Sequence, residues 1–274
     1  MKKINSNMII YVFWSLLFII VPLLLILFLG FTVTDGTNTS FSIDNFKRFF
    51  EPIYLNILWR SLKLAFYSTL ICLILGYPFA YFISKSPNKE NYMLFIMIPM
   101  WMNFLLRTYA WITLLGRNGL INKFLGLIGI AQMELMYNDF AIMIGMVYNF
   151  LPFMILPIFT AITKLDPSLI EAGYDLGATS TQVFRKVIFP LTKSGVLTGI
   201  TMTFIPAVST FVISQLLGGN NFNLIGNIIE QQFRFTGDWN FGSAISIILI
   251  IIIWILIRLS DNRKDENRLQ GGII

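Results

Sequence analysis

Residues 163–195 read TKLDPSLIEAGYDLGATSTQVFRKVIFPLTKSG, a polar stretch in an otherwise apolar chain. Asp166 followed by Pro167 has the form of a helix start: a carboxylate to accept the first free amide, then proline at the first helical position. Ser168 to Leu176 continues helically. Gly177 suits the residue after the helix end, where φ is positive and a side chain is costly. Thr179, Ser180 or Thr181 can cap a second helix running to Phe189, with Pro190 as its stop. In that helix Val183, Phe184, Val187 and Ile188 are apolar at helical spacing, whereas Arg185 and Lys186 face away. Two short helices around a glycine corner form a surface element, which is more than a linker needs.

Working outward, the rest of the chain identifies the solvent. Of 274 residues, 56% are hydrophobic and 12% charged, with 26 Phe and a mean hydropathy of +0.72. Soluble domains carry about a quarter charged residues, so the apolar surface must face lipid. Six segments have the length and character of membrane spans: 8–31, 56–84, 92–115, 140–163, 194–217 and 242–259. The expected fold is an all-α membrane protein with six transmembrane helices. Lys2 and Lys3 before the first run also fit a signal peptide, but the run is too long and no small-residue cleavage site follows Gly30. A retained helix is the better reading. Pro99, Pro152 and Pro157 should kink the third and fourth spans. Residues 119–130 are too few to cross, and read as an interfacial or re-entrant helix.

Charge sets the orientation. With the N-terminus in the cytoplasm, the inner segments carry twelve Lys and Arg against seven outside, while the fourteen acids divide evenly. The net charge of +6 is therefore a topology signal rather than a nucleic-acid footprint, and both termini are expected in the cytoplasm. Arg107 is the only clear charge in the interior of a span, since Arg60, Lys63 and Arg258 lie toward span ends. It calls for an ion pair with Glu134, Asp139 or Glu230, or else for snorkelling to the outer surface. Gly195 and Gly199, four apart in an apolar span, suggest close helix packing.

Some functions are excluded, and an ion-driven carrier or a membrane enzyme remains only as a less favoured alternative. The single Cys72 rules out an intrachain disulfide and a cysteine zinc site, and the absence of His removes a His-based triad, metal site or proton relay. An ion-driven carrier needs an acid or His within a span, and none is present. A membrane enzyme needs convergent titratable groups, and the membrane interior offers none beyond Arg107. No G-x-x-x-x-G-K-[ST] phosphate loop occurs.

The order Glu171-Ala172-Gly173, Gly177, then Val187-Ile188-Phe189-Pro190 resembles the EAA signature of ABC importer permeases. The usual pattern has Ala, Ile and Leu where this chain has Gly173, Val187 and Phe189, replacements of like size and polarity. Leu75–Ala80 (LGYPFA), Leu106–Ala110 (LRTYA), Leu151–Met154 (LPFM), Gly218-Gly219 and Gly226–Ile229 (GNII) are similar to the PotB-type permeases of spermidine/putrescine ABC importers.

This resemblance implies a type I ABC importer permease fold. It implies that Glu171, Ala172, Gly173, Gly177, Val187 and Pro190 belong to a loop that docks on an ATPase. The implied assembly has two permease subunits, two ATP-binding subunits and an extracytoplasmic polyamine-binding protein in a bacterial cell membrane. ATP and Mg would sit on the partner, leaving no cofactor, metal or catalytic residue on this chain. Related permeases carry iron, thiamine or phosphonate. The implied division is an N-terminal helix and outer loop at 1–55, a permease core at 56–260 with the coupling loop at 164–193, and a cytoplasmic tail at 261–274.

A polyamine is a flexible polycation, so its path needs aromatic faces and neutral or anionic oxygens. Trp101, Asn103, Tyr109 and Trp111 in the third span, Asn149 in the fourth and Gln215 in the fifth are the candidates. Glu230 and Asp238 are the expected attraction at the outer mouth.

Overall fold

The computed structural model describes residues 6–35, 38–219 and 222–270. Lys2, Lys3 and the last four residues of the tail lie outside them. Four helices are individually long and apolar enough to span a membrane, and two sharply bent pairs bring the number to six.

One compact unit comprises residues up to 57 together with 228–256. Its first helix, α1 (residues 6–30), has no charge between Tyr11 and Gly30, and no side chain there is buried. A helix that is apolar all round and uncovered by protein belongs in lipid. The helix widens into a π turn at Leu16–Ile20 just before Pro22, whose ring nitrogen cannot supply the next amide donor. Beyond it, β1 (Thr32–Asp35) pairs antiparallel with β2 (Asn38–Phe41), Thr32 opposite Phe41. This hairpin is absent from an all-α reading, although its β-branched residues favour strands. A short helix α2 (Asp44–Phe49) follows.

The last helix, α13 (Trp239–Gln270), is tied to this hairpin. Asn240 Nδ2 donates to the carbonyls of Leu29 (3.0 Å) and Thr32 (2.7 Å), satisfying acceptors at the end of α1. Gly30 lies against Ala244 and Ile247.

The second unit comprises residues 58–227 with 257–270. Helix α3 (Pro52–Ser84) has 33 residues. At 1.5 Å per residue it is about 50 Å long, well beyond the ~30 Å of hydrocarbon, so it is tilted or protrudes. The third span is not one kinked helix. It consists of α4 (Lys89–Trp101) and α5 (Phe104–Leu115), and the chain bends by 91° at this break. Pro99 is accommodated inside α4; the break comes at Met102 and Asn103, whose extended backbones end one helix and cap the next.

Helix α6 (Leu120–Leu127) is the short element expected between spans three and four. Asn122 holds it in place, donating to the carbonyls of Gly116 (3.2 Å) and Met133 (2.9 Å) and accepting from the Met133 amide. Helix α7 (Asp139–Thr163) is continuous through both prolines. The surface loop forms α8 (Pro167–Asp175) and α9 (Ser180–Leu191), and α10 (Lys193–Ser209) re-enters the membrane.

The fifth span is shorter than 194–217. Its helix stops at Ser209, the chain extends at Thr210, and a short helix with a widened π turn, α11 (residues 212–218), follows. The break is fastened by Asn227, at the start of α12 (residues 225–236). Asn227 Oδ1 accepts from Ser214 Oγ and from the Leu224 amide, and its Nδ2 donates to the Phe211 carbonyl.

Helices α7 and α10 pack through glycine. A Cβ on Gly195 would stand 2.5 Å from Ala161 Cβ, and one on Gly199 would stand 2.8 Å from Met154 Sδ. With no hydrophobic drive between helices in lipid, this intimacy supplies the dispersion contact. Cys72, Tyr77, Ala80, Met93, Met154, Ile155, Ile158 and Val196 form the core beside it.

Candidate functional site

The loop between α7 and α10 folds largely as its local chemistry dictates. The Asp166 carboxylate accepts from the Ser168 amide at 3.0 Å, and that bond holds its carboxyl below the usual range. At the other end of α8, the Ala178 amide reaches the Gly173 carbonyl (3.2 Å) and the Gly177 amide reaches Tyr174 (2.8 Å), with Gly177 at φ +76°. Those two bonds satisfy carbonyls a helix end leaves free, and only a left-handed residue permits both. Thr179 is the cap of α9. It accepts from the Gln182 amide, while the Gln182 side chain accepts from the Thr179 amide.

Helix α9 departs from expectation in two ways. Its middle is a π turn, Phe184–Ile188, and Pro190 does not stop it. A proline one residue into the last turn gives up an amide already released by the widened turn. The helix ends at Leu191, and α10 leaves at 62° to it. Val183 and Ile188 are buried, Phe184 and Val187 partly so, and Arg185 and Lys186 are exposed, as the periodicity requires.

Gly173 packs against Val183, where a Cβ would come within 3.2 Å. Only a small residue fits between the two helices. Glu171 and Ala172 lie on the exposed side of α8, which has no buried residue, and Leu176 is 88% exposed at the corner. The loop thus shows a rigid, partly apolar ridge whose shape is set by caps at both ends of α8.

Residues 73–262 match the family described as "Binding-protein-dependent transport system inner membrane component". The chain belongs to this family of inner-membrane transport components. PotB, the spermidine/putrescine transport system permease protein of Haemophilus influenzae, is 40% identical over 251 residues, covering 89% of this chain and 88% of that protein. Its Escherichia coli K12 counterpart is 39% identical, covering 89% and 91%. The inner membrane ABC transporter permease protein YdcU of the same organism is 30% identical, covering 84% and 80%.

Among solved structures, a chain of a bacterial ABC transporter that imports the acidic polysaccharide alginate superposes with a TM-score of 0.81 at 15% identity. The match covers 97% of this chain and 98% of that one. A chain of the MetNI methionine ABC transporter gives 0.58 at 18% identity, covering 76% and 93%. The fold is therefore that of type I ABC importer permeases, and the protein is a multi-pass membrane component.

The path candidates of this permease separate into two groups. Trp101, at the break of the third span, is 74% exposed, Tyr109 is 51% exposed, and Asn103 and Gln215 are exposed as well. The Asn103 amide group is satisfied locally, its Oδ1 accepting from the Leu105 amide at 2.8 Å as the cap of α5. Trp111 instead packs edge-on against Tyr148 at 5.4 Å. Asn149 is 1% exposed, with Nδ2 donating to the Gly145 carbonyl. These two make their contacts within this chain.

One charge expectation needs correction. Arg107 is 8% exposed, so it does not snorkel, and it has no ion pair among the described residues. Asp139 instead takes Arg60, and Glu230 takes Arg234, each at 2.7 Å. The Arg107 Nε is without an acceptor, and its guanidinium lies 5.8 Å from the Phe104 ring centre. At the expected outer mouth, Asp238 accepts from Arg48 at 2.8 Å, so both acids there already face an arginine.

One group of residues escaped the sequence reading. Tyr77 on α3 lies against Thr192, Phe184 and Phe189 at the foot of α9 and α10. The only sequence signal was an aromatic hydroxyl within the Leu75–Ala80 stretch.

Proposed function

We propose that this permease forms half of the membrane pathway of an ABC importer for polyamines, driven by ATP hydrolysis on a partner subunit. The carrying observation is the likeness to PotB permeases over nearly nine-tenths of the chain. Its partners are two ATP-binding subunits, a second permease subunit and an extracytoplasmic polyamine-binding protein. Both termini lie in the cytoplasm. ATP and Mg belong to the partner, and this chain contributes no catalytic residue or cofactor site.

In this reading the ridge of α8, with Glu171, Ala172, Gly173 and Gly177, seats on the ATPase, while Val187 and Pro190 belong to the helix that supports it. The exposed set Trp101, Asn103, Tyr109 and Gln215 contributes to the wall of the path. Aromatic faces attract alkylammonium groups, and amide oxygens replace their water. Carboxylates, costly within a span, are left to the second permease subunit.

Stimulation of ATPase activity in the reconstituted complex tests the cargo. Spermidine or putrescine with the binding protein should stimulate hydrolysis. Stimulation by iron, thiamine or phosphonate in their place would overturn the polyamine reading and leave the permease one standing.

A further inference from the structure

We propose that Tyr77 is a positioning residue of the coupling machinery, linking the ATPase-facing helices to α3 through Thr192. This rests on the reading of the loop as the ATPase contact. The Tyr77 hydroxyl lies 2.8 Å from Thr192 Oγ1 in a buried contact. Thr192 Oγ1 also lies 2.9 Å from the Ile188 carbonyl, to which only the threonine proton can be donated. In the arrangement that satisfies both hydroxyl protons, Thr192 donates to a backbone carbonyl, Ile188 or Phe189, and accepts from Tyr77. The bonds form a directed chain from α3 through Thr192 into α9.

The location gives this chain its meaning. Thr192 is the single residue between α9 and α10, at the 62° bend where the surface helix becomes a membrane span. The Tyr77 ring meets Phe184 edge-on at 5.6 Å and Phe189 at 5.6 Å, so it touches the first residue of the π turn and the residue that follows it. Tyr81, one turn further along α3, meets Phe184 at 5.2 Å. A push on α8 reaches α9 through Gly173 and Val183. From α9 it has two outlets, along the chain into α10 and sideways through Tyr77 into α3. Packed side chains with a buried hydrogen bond transmit displacement because they have few alternative arrangements. The sideways outlet makes two spans move together.

Simple core packing would use the ring alone, so the hydroxyl provides the test. In the full complex, Tyr77→Phe keeps the ring and removes only the donor. Cargo transported per ATP hydrolysed should fall at least threefold, while subunit assembly and basal ATPase rate stay at wild-type values. Thr192→Val should match it, and Thr192→Ser, which keeps the acceptor, should restore the wild-type ratio. Tyr81→Phe, which keeps the ring contact with Phe184, should leave the ratio unchanged. A wild-type ratio in Tyr77→Phe, with at most a lower thermal midpoint, would overturn the proposal. Gly177→Val in parallel separates the two ideas: loss of transport there with full coupling in Tyr77→Phe rejects the Tyr77 link alone, whereas wild-type behaviour in both rejects the coupling-loop reading as well.

Discussion

Arg60 and Asp139 join the N-terminal part of α3 to the first residue of α7, with Arg60 Nη2 2.7 Å and Nε 3.1 Å from the same carboxylate oxygen. Both side chains are partly solvated, at 35% and 57% exposure. An ion pair of that kind contributes about 0–1 kcal/mol. Asp139→Asn should therefore lower the thermal midpoint of the purified complex only slightly, and the difference should vanish at high salt. A large loss that persists in salt would mean that the pair has a partner or a burial not apparent in this chain.

Arg107 presents the opposite case. A buried charge without a counter-ion among the described residues is a liability, because taking one ion out of water costs several kcal/mol. Arg107→Met should leave the thermal midpoint of the complex unchanged or raise it. A marked fall would show that Arg107 meets an acid of the second permease subunit.

Gly199 tests the packing of α10 on α7. A Cβ there meets Met154 Sδ at 2.8 Å and the Met154 carbonyl oxygen at 3.1 Å, and the backbone oxygen cannot yield. Gly199→Val should cost about 1–3 kcal/mol by overpacking, seen as reduced yield and a lower thermal midpoint. Gly126, which has nothing within 4 Å of its Cβ position, provides the control, since Gly126→Ala should be tolerated.

At Gly177 the obstacle is backbone conformation rather than space, because its Cβ position is open while φ is +76°. A β-branched residue in the left-handed region is strained by roughly 1–2 kcal/mol. Gly177→Val should insert normally, misplace α8 and lose transport. Uptake at the wild-type rate would show that the corner is not part of the coupling path.

Trp101→Ala and Gln215→Ala should each reduce spermidine uptake severalfold, with assembly and basal ATPase preserved, because neither side chain supports the fold from its exposed position. Measurement of uptake kinetics decides this. If both variants match wild type, the passage follows the second permease subunit instead.

What the sequence alone determined is what depends on neighbours a few residues apart. Hydropathy over some twenty residues was enough to identify the spans, since lipid accepts only helices with every backbone group satisfied internally. Asp166, Gly177 and Thr179 were legible because their partners are two to four residues away. Tertiary structure decided everything that depends on which face of a helix meets which neighbour, and at what depth. Tyr77 and Thr192 are 115 residues apart, and Arg60 and Asp139 are 79. No periodicity shows that Asp139 takes Arg60 rather than Arg107, because the ranking depends on the rotation of three helices about their axes. The break at Met102 and Asn103 was hidden for a related reason. Asn103 caps a helix at a position where composition alone reads as uninterrupted span, and only the packed chain shows that its Oδ1 accepts from the Leu105 amide.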